Sequence, residues 1–323
     1  MNYNLNICFL RCISVLSVIF FHYFQNNNEL FANGYIGVDI FFVISGYLVS
    51  KAVLKKDYNI RIFLERRFLR VYPSLISVTI FFTIFFSFFL IREDLNNIYI
   101  TNIYSLSGIS NFHFYFKNIE YGASDAFEIP FIHTWSLSIE FQFYLFISIF
   151  LTFKIVKKIW VLIFLTIFLY FISKYGDDNQ KFFFTHLRLY EFFIGILINY
   201  IQPKNLKYFR LPVYFLLIVI LVYSGNIYFA KEICLILTTL IIIDNNSKFK
   251  IYFLRKAIIF LSNISYSLYL IHYPIIFYLS YVILDFKFSN YINLIIYLFI
   301  TITASSLNYK FIETKFWKKN VKV

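Results

Sequence analysis

Cysteine is scarce in this chain, and so are the motifs that usually accompany it. The 323 residues hold only Cys8, Cys12 and Cys234. Cys8 and Cys12 stand one helical turn apart, where two side chains point too similarly to bridge readily, so free thiols are expected. There are no Cys pairs for zinc, since Cys8 and Cys12 have no second Cys pair to join, and no His-Glu-x-x-His, P-loop or glycine-rich dinucleotide fingerprint occurs. No metal site is therefore expected, and the common soluble-enzyme chemistries are excluded. Charge is scarce as well: 15% of residues are charged, with 17 acids against 30 Lys and Arg. No small-residue cleavage site succeeds the first apolar run, which reads as a retained anchor and not a signal peptide. No internal repeat is visible and no appended soluble domain is expected, so residues 1–323 read as a single transmembrane domain.

What the chain has instead is apolar surface. The hydrophobic fraction is 60%, the mean hydropathy is +0.69, and there are 45 Phe and 28 Tyr. A soluble domain of this size could not bury so much. Helix-length apolar runs separated by polar joints recur along the chain. They lie at about 5–24, 34–53, 73–91, 134–153, 159–173, 186–201, 211–224, 227–243, 260–284 and 290–309. The expected fold is an all-α integral membrane protein, a polytopic bundle of about ten transmembrane helices. Between them, about 92–130 reads as the longest non-helical stretch, and a loop of that length usually carries a function or folds over something.

The net charge of +13 suggests nucleic acid until its placement is considered. With a cytoplasmic N-terminus, the inside joints are Lys51–Tyr72, Lys154–Lys158, Gln202–Arg210, Asp244–Lys256 and the tail from Lys310, and they hold about 22 of the 30 Lys and Arg. That is the positive-inside bias, with both termini cytoplasmic. Glu29, Glu93, Asp94, Glu120, Asp125, Glu128, Asp177 and Asp178 all fall outside. The basic charge thus implies a lipid bilayer with anionic lipid as partner, and no nucleic acid.

Several ionisable residues fall inside the apolar runs, where each needs a cavity or a partner. Arg11 and His22 are eleven residues apart in the first run, hence on one helix face and about 16 Å apart along its axis. His22 is either a general base for a hydroxyl or an interfacial His capped by water or headgroups. Asp39 lies about one turn into the second run, at the depth expected for His22. It either orients that His or ties two helices, with Gly37 and Gly46 permitting close approach. Ser45 comes next on the same run. Arg66, Arg67 and Arg70 form either a phosphate-gripping fork or the basic flank that topology alone demands. His133 and Glu140 share nearly one face of the fourth run, beside Trp135 and Ser136. Arg188 and Glu191, at i and i+3, read as a structural pair. Ser262 to Pro274 forms a hydroxyl stripe that includes Tyr266 and His272.

Taken in order, these segments resemble the acyltransferase 3 family of integral membrane acyltransferases. The Arg and His of LRCISVLSVIFFH match the family's opening. Gly37 to Gly46, Arg66 to Pro73, Trp135 to Glu140, Arg188 to Phe192 and Ser265 to Pro274 match its later blocks. One departure is the closing Ile-Glu-x-Pro, which here reads Ile312-Glu313-Thr314-Lys315. The resemblance implies the stand-alone form of the family, in a bacterial inner membrane. It implies transfer of an acyl group, most often acetyl, from cytoplasmic acetyl-CoA or another acyl-CoA. The acceptor would be a hydroxyl of an extracytoplasmic or lipid-linked glycan such as O-antigen, capsule or exopolysaccharide. Acyl-CoA is then a donor substrate and no cofactor is bound. The expected division of labour puts Arg66, Arg67 and Arg70 on the CoA phosphates, Arg11 on the donor and His22 as base, with Asp39 or Glu140 holding its tautomer. Two rivals remain: a proton-coupled exporter of a glycan or lipid precursor, which would need no acyl donor and should show two pseudo-symmetric halves, and a scaffold for glycan-assembly partners.

Overall fold

The computed structural model describes residues 4–24, 30–53, 59–119, 129–152, 158–206, 209–223, 225, 227, 229–244, 252–283 and 291–319. Glu29, Glu120, Asp125, Glu128, and most of the basic joints at 154–158 and 244–256 lie outside them. The described residues form fourteen α-helices: α1 Leu5–Phe24, α2 Gly37–Val53, α3 Ile60–Phe86, α4 Arg92–Leu106, α5 Ser110–Phe116, α6 Trp135–Thr152, α7 Ile159–Ile172, α8 Asp178–Phe183, α9 Thr185–Ile198, α10 Arg210–Val222, α11 Ala230–Ile243, α12 Tyr252–Phe277, α13 Tyr291–Asn308 and α14 Thr314–Lys319. Two π segments interrupt the regular geometry, at Tyr278–Val282 and Tyr309–Glu313. Among the described residues, five helical stretches are long and apolar enough to cross a membrane: Leu5–Phe24, Gly34–Ala52, Ile60–Phe86, Phe253–Ser280 and Tyr291–Phe316.

The sidedness of these helices is that of a membrane protein. Along α3, Ser74 and Thr79 are buried while Ile80, Phe81 and Ile84 are exposed. Along α13, Tyr297, Thr301 and Ser305 are buried while Ile292, Ile295 and Phe299 face outward. In water this arrangement would be costly; in lipid the apolar face is solvated and small or hydroxyl side chains pack helix on helix.

The chain divides into two compact units. The first comprises Met1–Lys56, Lys154–Tyr170 and Leu189–Ser265. Its apolar core includes Leu10, Ile40, Val43, Ile44, Leu217, Leu221 and Ile241. α1 and α2 run antiparallel, with Gly34 on Ser17 and Phe21, and Gly37 on Ser14, Ser17 and Val18. α2 and α9 meet backbone to backbone, Gly46 on Phe192 and Gly195 on the Val43 carbonyl. Polar ties fasten the helix ends. Asn6 Nδ2 donates to the carbonyls of Ile241 (2.8 Å) and Asp244 (2.7 Å), and Tyr214 donates to Asn6 Oδ1 at 2.8 Å. The Arg210 guanidinium grips both Asp244 oxygens, at 2.6 and 3.2 Å.

The second unit comprises Asp57–Phe153, Phe171–Arg188 and Tyr266–Val323. Here the observed helices depart from the sequence expectations. α3 begins at Ile60 and passes through Pro73, so the arginine segment placed in the Lys51–Tyr72 joint is helical and continuous with the apolar run. Asn59 caps it by accepting from Ile62 N at 3.2 Å, and the Tyr266 hydroxyl holds the Val71 carbonyl at 2.7 Å, just before the proline. Residues 92–116, expected to be non-helical, form α4 and α5. These helices carry no long apolar run; Glu93 and Asp94 favour the first turn of α4. Side-chain hydrogen bonds then anchor them: Asn102 to Thr83 (2.6 Å), Ser105 to Thr134 (2.7 Å), Ser110 to Ser138 (2.8 Å) and Asn111 to the Phe183 carbonyl (2.9 Å). α8 opens with a capping box between Asp177 and Gln180.

Candidate active site

α1 is one uninterrupted helix, so Arg11 and His22 share a face over about 16 Å of rise. His22 is buried, with the Phe21 ring 5.2 Å away, edge-on. Arg11 is half-buried and its field reaches Cys8, which lies beside Ser262.

The expected level match of Asp39 with His22 does not hold. Gly34 sits at the level of Ser17 and Phe21, and Gly37 at the level of Ser14 to Val18. Continued two residues, that antiparallel register puts Asp39 level with about residue 14, roughly 12 Å along the axis from His22. The sequence could not supply this, because the register depends on which small residues meet. Asp39 is instead held by Lys231 of α11: the Lys231 ammonium lies 2.9 Å from Asp39 and 2.5 Å from Glu191, and both carboxylates are fully buried. Glu191, expected to neutralise Arg188, is thus shared with a residue that sequence reasoning missed. The signal was present: Lys231 falls inside the apolar run 227–243 and needs a partner by the rule that marked Asp39. Ser45, on α2, is buried.

In the second unit the arginine fork is split. Arg66 is exposed, while Arg67 and Arg70 are half-buried. The Arg67 guanidinium lies over the rings of Tyr144 (5.3 Å) and Phe63 (5.5 Å) and within the fields of Arg70 and Glu140. Tyr144 donates a short hydrogen bond to Glu140 Oε1. Glu140 therefore keeps company with the arginines of its own unit. Tyr266, whose hydroxyl holds Val71, lies in the fields of Glu313, Glu140 and Arg70.

His133 and His272 are both fully buried, with ring centres 5.3 Å apart. Tyr269 joins them: its hydroxyl meets Ser136 at 2.7 Å and donates to the His133 carbonyl at 3.0 Å. His272 Nδ1 lies 2.7 Å from the Tyr269 carbonyl. A carbonyl only accepts, so Nδ1 carries the proton and Nε2 is left as the basic nitrogen. Trp135 is buried under Phe182, with the Arg188 guanidinium 5.6 Å from its ring centre. Nearby, Ser267 donates to Glu313 Oε2 and accepts from Asn308 Nδ2, each at 3.0 Å. Among the described residues no group of three or more His, Cys, Asp and Glu could hold a metal ion.

Known proteins are similar to this chain over nearly its whole length. The acyltransferase domain model of the acyltransferase 3 family matches residues 4–309. O-acetyltransferase OatA of Staphylococcus aureus strain NCTC 8325 is 28% identical over 355 residues, covering 97% of this chain and 57% of the relative. The OatA of strain COL gives the same figures. The chain thus spans little more than half the length of these relatives. No solved structure matches it.

Proposed function

Because the chain belongs to the acyltransferase 3 family, we propose that it is a membrane O-acyltransferase moving acetyl, or another acyl group, from cytoplasmic acyl-CoA to a hydroxyl of an extracytoplasmic or lipid-linked glycan. The observation that carries the reading is the Arg11–His22 pair: a fixed cation and a titratable base on one face of a single membrane-length helix. The acceptor hydroxyl oxygen attacks the thioester carbonyl while His22 takes the hydroxyl proton. The C–S bond then breaks and the CoA thiolate leaves, taking up a proton. Arg11 stabilises charge on the donor. Arg67 and Arg70, with Arg66 at the surface, hold the CoA phosphates, and Glu140 with Tyr144 aims Arg67. The burial of Asp39 against Lys231 favours a role in holding α2 over one in orienting the His22 ring. His133, Trp135, Ser136, Arg188, Tyr266 and His272 support the second unit. The protein sits in the inner membrane, as one domain of about ten spans over residues 1–323 with cytoplasmic termini.

The test is the base-labile ester content of the cell-surface glycan, read by proton NMR in a null strain restored with wild type or with His22→Ala at equal membrane abundance. Ester restored by wild type and not by the variant is the expected result. Ester restored by both sinks the role of His22. Ester restored by neither sinks the transfer reading.

A further inference from the structure

We propose that Lys231 is a positioning residue for the transfer reaction: its ammonium, clamped between Asp39 of α2 and Glu191 of α9, fixes where α2 bears on α1 between Arg11 and His22. The inference rests on the acyltransferase reading above. Asp39 and Glu191 come from segments far apart in the chain, yet one ammonium on α11 reaches both. The Tyr190 ring offers its face to the same ammonium at 5.2 Å. Gly46 and Gly195 hold α2 and α9 together backbone to backbone, and the lysine ties both helices to α11.

The clamp has a route to the reacting groups. Gly37 lies two residues before Asp39 and packs on Ser14, Ser17 and Val18 of α1. Those residues stand between Arg11 and His22 on the same helix. A displaced Asp39 therefore carries Gly37 with it and presses on the stretch that sets the direction of both. Close-packed helix contacts transmit such a shift.

A merely structural lysine would neutralise its carboxylates and do nothing else, and the two roles separate experimentally. Three forms are compared with wild type in the full chain: Lys231→Met, the triple variant Lys231→Met/Asp39→Asn/Glu191→Gln, and His22→Ala. Thermal stability is read in detergent, and initial rates of transfer from acetyl-CoA in membranes. Lys231→Met should lose both stability and rate, because it takes the ammonium away from two buried carboxylates. The triple variant removes all three charges and should recover stability, yet remain slower than wild type by about tenfold to a hundredfold at unchanged donor KM. Recovery of rate together with stability would overturn the proposal. If the triple variant does not accumulate, Lys231→Arg decides. It keeps the charge with a bulkier, planar head, and a stable protein with lowered kcat supports the clamp, whereas wild-type kcat overturns it. His22→Ala guards the premise: if it too keeps full rate, the catalytic reading itself has failed, whereas loss there with full rate in the Lys231 variants refutes the clamp alone.

Discussion

Gly46 of α2 lies directly against the backbone of Phe192 on α9, so close that a Cβ on Gly46 would overlap the Phe192 carbonyl oxygen. Gly195 stands in the same relation to the Val43 carbonyl. The obstacle in both cases is backbone, which cannot rotate aside as a side chain can. Gly46→Ala and Gly195→Ala should each destabilise the protein by about 1–3 kcal/mol or more through overpacking. The check is a lowered unfolding temperature in detergent with a smaller yield of folded protein. Wild-type stability in both variants would mean that the helices do not approach this closely.

Glu140 accepts from the Tyr144 hydroxyl, and the Tyr144 ring lies under Arg67. If this set aims Arg67 at the donor, Tyr144→Leu should raise the KM for acyl-CoA more than it lowers kcat, because binding shared by ground and transition states is what is lost. Tyr144→Phe keeps the ring and should lie closer to wild type. Arg67→Gln should raise donor KM by about tenfold, the loss of one charge-assisted contact. Steady-state kinetics with acetyl-CoA as the varied substrate decide it; an unchanged KM in Tyr144→Leu and Arg67→Gln would remove these residues from the donor site.

His113 of α5 stacks on Tyr104 with ring centres 4.1 Å apart. Burial, and then the Lys117 charge, hold its pKa below the ordinary 6.5. The folded state therefore binds fewer protons at this group than the unfolded state just below pH 6.5. Its contribution to stability is complete above that pH and declines as pH falls through 6.5 toward the lower folded value. Thermal unfolding from pH 8 to pH 5 should show part of the acid-side loss disappear in His113→Phe, which keeps the stacking and removes the titration. An identical pH profile in wild type and variant would show that His113 does not contribute.

Membrane-length runs were legible in the sequence because a bilayer demands about twenty apolar residues in a row. α1 and α2 accordingly lie almost where the hydropathy places them. α4 and α5 were not legible, because Asn102, Ser105, Ser110 and Asn111 hold them through hydrogen bonds to partners that are distant in sequence. Pro73 misled in the same region: proline marks a helix boundary by local rules, whereas α3 runs through it. Within the candidate site, Arg11 and His22 could be placed together because one helix carries both. The partner of Asp39 could not: Lys231 stands out as a charge inside an apolar run, but which carboxylate it meets is decided only when α2 and α11 pack.

The π segment at Tyr309–Glu313 holds Glu313 where Ser267 reaches it, between α13 and α14. A π turn contains one residue more than the α turn it replaces. The spacing there is consequently a dial and not a length. Removing a single residue from the segment would leave the composition of α14 unchanged but rotate it by about 100° about its axis, so the face that the last helix offers to its surroundings is set by the count of residues before it.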